Sequence, residues 1–201
     1  AEMCGNATRC VGKYVYDRGL TDKTQITLET LAGIKILDLN VKDGEVQTVR
    51  VNMGSPELVP KNIPIDSNLD RFISEDVEVD GKVYKVTGVS MGNPHAVTFI
   101  DDTDSLEIEK IGPKFETHKL FPKKINTEFA QIVDRNTIKM RVWERGAGET
   151  LACGTGACAT MVAANLNGLV DDEADLVLLG GTLHIKWDKN ENKVYMTGPA
   201  K

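Results

Sequence analysis

Leu151-Ala152-Cys153-Gly154-Thr155-Gly156-Ala157-Cys158-Ala159-Thr160 is the stretch from which the fold of this chain can be read. It is approached through Arg141-Val142-Trp143-Glu144-Arg145-Gly146-Ala147-Gly148-Glu149-Thr150. The run ending at Trp143 is β-rich, Gly146 and Gly148 break it, and the small residues after Cys153 open a helix that runs to about Asn167. A cysteine at a helix N-terminus meets unpaired backbone N–H groups and the positive end of the helix dipole. These favour thiolate over thiol and can hold a carboxylate or other anion. Both effects suit acid–base chemistry on an anionic substrate.

The arrangement occurs twice. Cys4-Gly5-Asn6-Ala7-Thr8-Arg9-Cys10 matches Cys153-Gly154-Thr155 at a spacing of 149 residues, and Gly19-Leu20 then falls on Gly168-Leu169 without a gap. With one residue of slippage, Gly33 precedes Ile34-Lys35-Ile36 as Gly181 precedes Thr182-Leu183-His184-Ile185. Met53-Gly54-Ser55-Pro56 likewise parallels Met196-Thr197-Gly198-Pro199. These matches indicate two copies of one unit: strands, a cysteine-headed helix, more strands. Ala1-Glu2-Met3 leads straight into the first cysteine, whereas a β-rich run from about Val83 to Ala152 precedes the second. The expectation is a fragment in which about 70 residues of the first copy are missing. Residues 1–54 are then the remainder of an N-terminal lobe and 55–201 a C-terminal lobe.

The 201 residues are enough for ordinary cores. With 41% hydrophobic and 27% charged residues the composition is that of a globular protein, and the net charge of −6 argues against nucleic acid or an anionic membrane as main partner. No apolar run approaches transmembrane length and no signal peptide is visible, so the cytoplasm is the expected location. Cysteines at 4, 10, 153 and 158 do not form a secreted disulfide framework, and their spacing fits zinc knuckles poorly, so no metal is expected. No G-x-G-x-x-G follows a strand and no P-loop lysine is present, so no bound nucleotide is expected either.

Taken in order, residues 5–18 read as a helix on the repeat of Ala7, Cys10, Val11, Tyr14 and Val15, ended by Gly19. Gln25 to Glu29, Ile34 to Val41 and Val46 to Asn52 alternate as strands, with Asp43-Gly44 a hairpin turn between the last two. Ser55 to Asp80, carrying Pro56, Pro60 and Pro64, is the least regular stretch and the natural link. Val83 to Val89 and Ala96 to Ile100 read as strands around Ser90-Met91-Gly92-Asn93-Pro94-His95. A helix starts near Asp104-Ser105-Leu106-Glu107, and Gly112-Pro113 is expected to bend or end it. Strands follow at Ile125 to Val133 and Thr137 to Val142, and after the Cys153 helix at Leu176 to Leu179, Leu183 to Trp187 and Val194 to Met196. Many strands with one dominant helix per unit make an α+β class rather than alternating βαβ.

Two equivalent cysteines on facing repeats would present two sulfurs across one cleft. Epimerisation or racemisation at a carbon needs that symmetry: a base removes a proton from one face and an acid returns one to the other. The α-proton of an amino acid is weakly acidic, so the developing enediolate must be stabilised by preorganised donors, which two helix heads supply. Buried packing is the ordinary role of a lone cysteine and is the role read for Cys10 and Cys158.

Met3-Cys4-Gly5-Asn6-Ala7-Thr8-Arg9-Cys10, Gly92-Asn93-Pro94-His95-Ala96, Trp143-Glu144-Arg145-Gly146 and Ala152-Cys153-Gly154-Thr155-Gly156 together resemble the diaminopimelate epimerases over nearly the whole chain. The resemblance implies a fold of two similar lobes, each a β-barrel-like sheet around a central helix, with the site between them. It implies PLP-independent interconversion of LL- and meso-2,6-diaminopimelate by two cysteines, with no cofactor and a small amino-acid substrate. By resemblance, Cys4 and Cys153 are the catalytic pair, and Gly5-Asn6 and Gly154-Thr155 hold the reacting α-carboxylate. Asn93 and Asn126 contact substrate, and Glu144 and Arg145 recognise its far end, where an arginine fork suits a carboxylate and a glutamate an ammonium. His95 and Glu144 assist proton transfer at the two sulfurs.

Read without the resemblance, Asn93-Pro94 is equally an ordinary turn, His95 a structural histidine and Glu144-Arg145 a surface pair. His118 and His184 have no supporting context, and Lys123-Lys124 reads as a solvated turn. The resemblance implies a segment before the first cysteine and a closing strand beyond the second copy, and both are expected to lie outside this sequence. A proline or hydroxyproline racemase, a non-catalytic amino-acid-binding module, and a redox protein using Cys4 and Cys153 as a working disulfide are the competing readings. The sequence leaves the oligomeric state open, a homodimer included.

Overall fold

A computed structural model describes residues 5–30 and 33–200 of the chain. Its first unit is a helix followed by three strands: α1 (Gly5–Asp17), β1 (Gln25–Thr30), β2 (Gly33–Lys42) and β3 (Glu45–Gly54), paired antiparallel in sequence order. The middle of the chain supplies β4 (Glu75–Val79), β5 (Lys82–Ser90), β6 (Pro94–Phe99), α2 (Ile108–Glu116), β7 (Asn126–Asp134), β8 (Thr137–Glu144) and β9 (Gly148–Thr150). Then the first pattern returns as α3 (Gly154–Leu166), β10 (Glu173–Leu178), β11 (Gly181–Asp188) and β12 (Lys193–Pro199). The fold is α+β and internally duplicated, as the sequence indicated.

All but β9 lie in one path, β1-β2-β3-β12-β11-β10-β8-β7-β6-β5-β4, with β9 hydrogen-bonded to β8. The pairs β6–β7 and β8–β10 are parallel and the other pairs antiparallel. The third strands of the two units are neighbours, Val51 opposite Met196 and Val49 opposite Gly198. An antiparallel pair of equivalent strands relates the units by a local two-fold and brings the heads of α1 and α3 to the same place. A Cβ on Gly154 would stand 3.8 Å from the Gly5 Cα and 3.0 Å from the Met196 Sδ, and one on Gly5 only 2.6 Å from the Met196 Cε. Glycine at both helix starts is what lets them close over that methionine.

α3 touches β5, β6 and β7 on one side and β10, β11 and β12 on the other, so the sheet curls around it. Residues 154–164 are buried on every face, as a central helix requires, and the run is built from Gly, Ala, Thr, Cys, Met and Val. A second core lies under α2, where Phe115 meets Tyr84 and Phe129 edge to face.

α1 differs from the expectation. Its apolar repeat suggested an inward stripe, yet Val11 is 41% and Tyr14 59% exposed and Cys10 is exposed, while Gly5, Thr8, Arg9 and Gly12 face the sheet. Close approach decides this: a Cβ on Gly12 would sit 3.1 Å from Leu39 and 3.3 Å from Leu37, so the small-residue face goes down. Cys10 therefore does not take the packing role read for it, whereas Cys158, buried in α3, does.

Two further corrections come from the middle. The stretch read as a link holds a 3-10 turn at Pro60–Asn62 and the strand β4, in which Val77 and Val79 are buried and the alternate residues charged. An Asp80-Gly81 turn with positive φ at both residues, of the same kind as Asp43-Gly44, closes β4 onto β5. Gly112 and Pro113 lie inside α2 rather than ending it. A Cβ on Gly112 would meet the Trp143 ring at 2.4 to 2.7 Å, so this glycine is where the indole crosses the helix.

Candidate active site

Cys153 is the N-cap of α3. Its backbone is extended (φ −126, ψ 108), its Sγ accepts the Gly156 N–H at 3.3 Å, and the Thr155 Oγ1 lies 3.5 Å away. The helix head thus engages the sulfur as expected, but the expected preference for thiolate does not follow. Burial, then the charges of Glu128 and Glu144, push the Cys153 thiol up to about 12, against the hydrogen bonds of Thr155 and Gly156 that act to lower it. In the free protein Cys153 is a proton-bearing thiol. Cys158, one turn deeper, is also pushed up, by burial first and then by Cys153, with Arg9 opposing.

Three adjacent strands bring the other groups. His95 on β6 is opposite Asn126 on β7, and both it and Glu128 are fully buried. His95 Nδ1 is 2.7 Å from Glu128 Oε1, and Nε2 is 3.0 Å from Asn93 Oδ1. Asn126 joins two loops: its Nδ2 donates to the Pro94 carbonyl at 2.7 Å, and its Oδ1 accepts the Arg145 backbone N–H at 2.9 Å. Glu144 ends β8 and accepts the Thr150 hydroxyl at 2.5 Å. The Arg145 side chain is exposed, with Nη1 3.2 Å from the Lys123 carbonyl.

Glu116 holds this hairpin. Its carboxylate accepts the Trp143 indole N–H at 2.8 Å, the Gly146 N–H at 3.2 Å and Lys124 Nζ at 3.1 Å. Burial acts to raise its pKa, but these donors prevail and hold the carboxyl below the usual range. Arg141 fixes the other side, bidentate to Glu149 at 2.7 and 3.1 Å and donating to the carbonyls of Thr103 and Leu106.

Of the residues singled out in the sequence, Cys153, Gly154 and Thr155 form the head of α3 and Glu144 is near enough to act on the Cys153 sulfur, while His95, bonded to Asn93 and opposite Asn126, reaches the head through Glu128, whose Oε1 borders Gly156. Gly5 meets Gly154 from α1. Asn6 is half-buried beside a cavity of about 210 Å³ shared with Arg9, Ala152, Gly181 and Thr182, and its Oδ1 has no partner among the described residues. Cys4 lies outside the described residues. Glu128, Thr150 and Glu116 were not read from the sequence. Glu128 had a signal: an acid two residues after Asn126, hence on the same face of the strand, and followed directly by the apolar Phe129-Ala130. Among the described residues no cluster of three or more His, Cys, Asp or Glu could hold a metal ion.

A family model described as diaminopimelate epimerase matches residues 1–59 and 87–201. The diaminopimelate epimerase of Acetivibrio thermocellus is 62% identical over 200 residues, covering all of this chain and 71% of that protein. That of Methanococcus maripaludis strain S2 / LL is 55% identical over 200 residues, covering all of this chain and 72% of its own. Among solved structures, a probable proline racemase from Agrobacterium radiobacter with bound carbonate has a TM-score of 0.71 at 15% identity, over 98% of this chain and 65% of that one. A hydroxyproline epimerase from Agrobacterium vitis with bound trans-4-hydroxy-L-proline has a TM-score of 0.72 at 14% identity, over 98% and 64%. This chain spans just under two thirds of those two solved chains, and at such identities the likeness is one of fold.

Proposed function

The chain belongs to the diaminopimelate epimerase family, and on that premise we propose how its residues interconvert LL- and meso-2,6-diaminopimelate. The protein is an isomerase of diaminopimelate and lysine biosynthesis. One sulfur takes the α-proton from one face of the substrate carbon while the other supplies a proton to the opposite face. The observation that carries this reading is the meeting of the two helix heads at Gly5 and Gly154, with Cys153 capping one of them.

Cys153 favours one direction. As a thiol in the free protein, Cys153 is already the acid for the direction in which Cys4 is the base. In reverse it must first give its proton to a neighbouring base, and Glu144 and His95 are the groups for transfer at the two sulfurs. The backbone N–H groups of Gly5-Asn6 and Gly154-Thr155 receive the reacting carboxylate and the enediolate charge that develops on it. Asn93 and Asn126 form the adjacent wall, and Glu144 with Arg145 takes the distal ammonium and carboxylate. This chemistry requires no cofactor, because two sulfurs and two helix heads supply both proton transfer and charge stabilisation.

In the same reading the substrate lies between a lobe containing residues 1–54 and one containing 55–201, and the reaction belongs to the cytoplasm. Its partner is a small amino acid, with no nucleic acid or membrane involved. No described helix is long and apolar enough to cross a membrane. The test is NMR of LL-diaminopimelate in D2O with the reduced full-length protein. Deuterium uptake at the α-carbon with appearance of the meso form, lost in both Cys4→Ala and Cys153→Ala, supports the reading. No uptake by the folded, reduced protein, or uptake with proline in its place, overturns it.

A further inference from the structure

Glu128 is a fully buried carboxylate to which the reaction as described gives no part. Its Oε1 is 2.7 Å from His95 Nδ1, and its Oε2 has no hydrogen-bond partner among the described residues. Such a group costs stability: a neutral side chain of the same shape would avoid burying a charge with one oxygen unserved. Packing does not explain its place, because the helix opposite leaves room for it. A Cβ on Gly156 would stand 2.5 Å from Glu128 Oε1 and 3.2 Å from Cys153 Sγ, so the carboxylate and the sulfur both border the space left by this one missing side chain.

We propose that Glu128 is a positioning residue for the epimerisation: its carboxylate holds the proton on His95 Nδ1, so that Nε2, on the Asn93 side, is the nitrogen through which His95 exchanges protons. An ionised carboxylate only accepts, so the nitrogen facing it carries hydrogen in every working state of the ring. Nε2 faces Asn93 Oδ1, which also only accepts, so Nε2 donates there at rest; with Nδ1 held by the carboxylate, it is Nε2 that can give its proton up and take one back. The same negative charge stands near the Cys153 thiol and, with Glu144 from the end of β8, disfavours its ionisation; Cys158 lies behind it on α3. Glu128 thus has two effects, one on the histidine and one on the thiol.

This rests on the epimerase reading, but its first test does not need substrate. The chain has three histidines, so 15N NMR of histidine-labelled full-length protein, with His118→Gln and His184→Gln for assignment, reports each ring nitrogen of His95. Between pH 6 and 9, Nδ1 should stay protonated throughout, and any nitrogen found bare should be Nε2. A bare Nδ1 at any pH in that range overturns the proposal.

The second test is Glu128→Gln, which keeps shape and a hydrogen-bonding oxygen but lets either tautomer form. The variant should unfold in denaturant no earlier than wild type, show kcat at least tenfold lower with KM within twofold, and alkylate at Cys153 with a midpoint at lower pH. Wild-type kcat, or a loss confined to stability, overturns the positioning role. If the variant does not fold, the wild-type ring nitrogens decide. If the wild-type protein exchanges no α-proton of diaminopimelate, the epimerase reading fails, while the NMR and alkylation results still judge the Glu128–His95 pair.

Discussion

At Cys153 two opposing influences act on one sulfur. The helix head donates to it through Gly156 N–H, and burial with the charges of Glu128 and Glu144 keeps its proton on. Iodoacetamide should therefore react with Cys153 slowly at neutral pH and faster by about tenfold per pH unit towards about 12. Glu144→Gln, by removing one charge, should move that midpoint down; an unmoved midpoint would mean that Glu144 does not act on the sulfur. Stability follows with a definite sign. The folded pKa lies above the ordinary thiol value, so the protonated form is favoured by folding, and stability is complete below about pH 9 and declines as pH rises towards about 12. Each unit in that window should cost about 1.4 kcal/mol from this group. Denaturant unfolding of Cys153→Ala should show a shallower alkaline decline, and equal slopes would contradict the shift. Cys153 itself was legible in the sequence from its glycine context. Its protonation was not, because that depends first on burial and then on two carboxylates contributed by separate strands.

Among the elements, the β8–β9 hairpin carries Glu144 and Arg145, and α2 holds it in place. Trp143 crosses α2 at Gly112 and donates to Glu116, which also accepts the Gly146 N–H. The sequence offered Gly112-Pro113 as a bend or end of the helix because backbone propensity is local, while the need for a missing side chain at Gly112 comes from an indole 31 residues away. Gly112→Ala should displace Trp143, destabilise by about 1–3 kcal/mol through overpacking, and raise KM for diaminopimelate more than it lowers kcat. An unchanged KM in a folded variant would separate α2 from the far end of the substrate site. The strand β4 was similarly hidden. Its alternation of charged residues with Val77 and Val79 spans only five residues inside a proline-rich stretch, too short to stand out until it pairs with β5.

For the whole molecule, the pairing of β3 with β12 sets the geometry. It joins the last strands of the two units and seats Met196, fully buried, between the helix heads. Arg9 completes the joint, donating to the Pro199 carbonyl at 3.0 Å and approaching the Met196 sulfur at 3.6 Å. Met196→Ala should cost about 2–5 kcal/mol from the lost burial and the cavity left, and should lower kcat because Gly5 and Gly154 lose the atom they rest on. Full activity in that variant would show that the spacing of the helix heads is set elsewhere.

The sequence by itself determined the duplication, the cysteine at the head of α3 and most strands, because repeat spacing, apolar alternation and glycine punctuation are local properties of the chain. It also determined which residues resemble the diaminopimelate epimerase motifs. The tertiary structure alone decided which face of α1 is buried, since that turns on how closely Gly12 lets the helix approach β2 and β3. It alone decided that Asn126 links the Pro94 and Arg145 loops, that Glu128 stands beneath His95, and that Cys153 keeps its proton. Those outcomes depend on distances between residues far apart in the chain and on the water excluded from between them, neither of which is written in residue order.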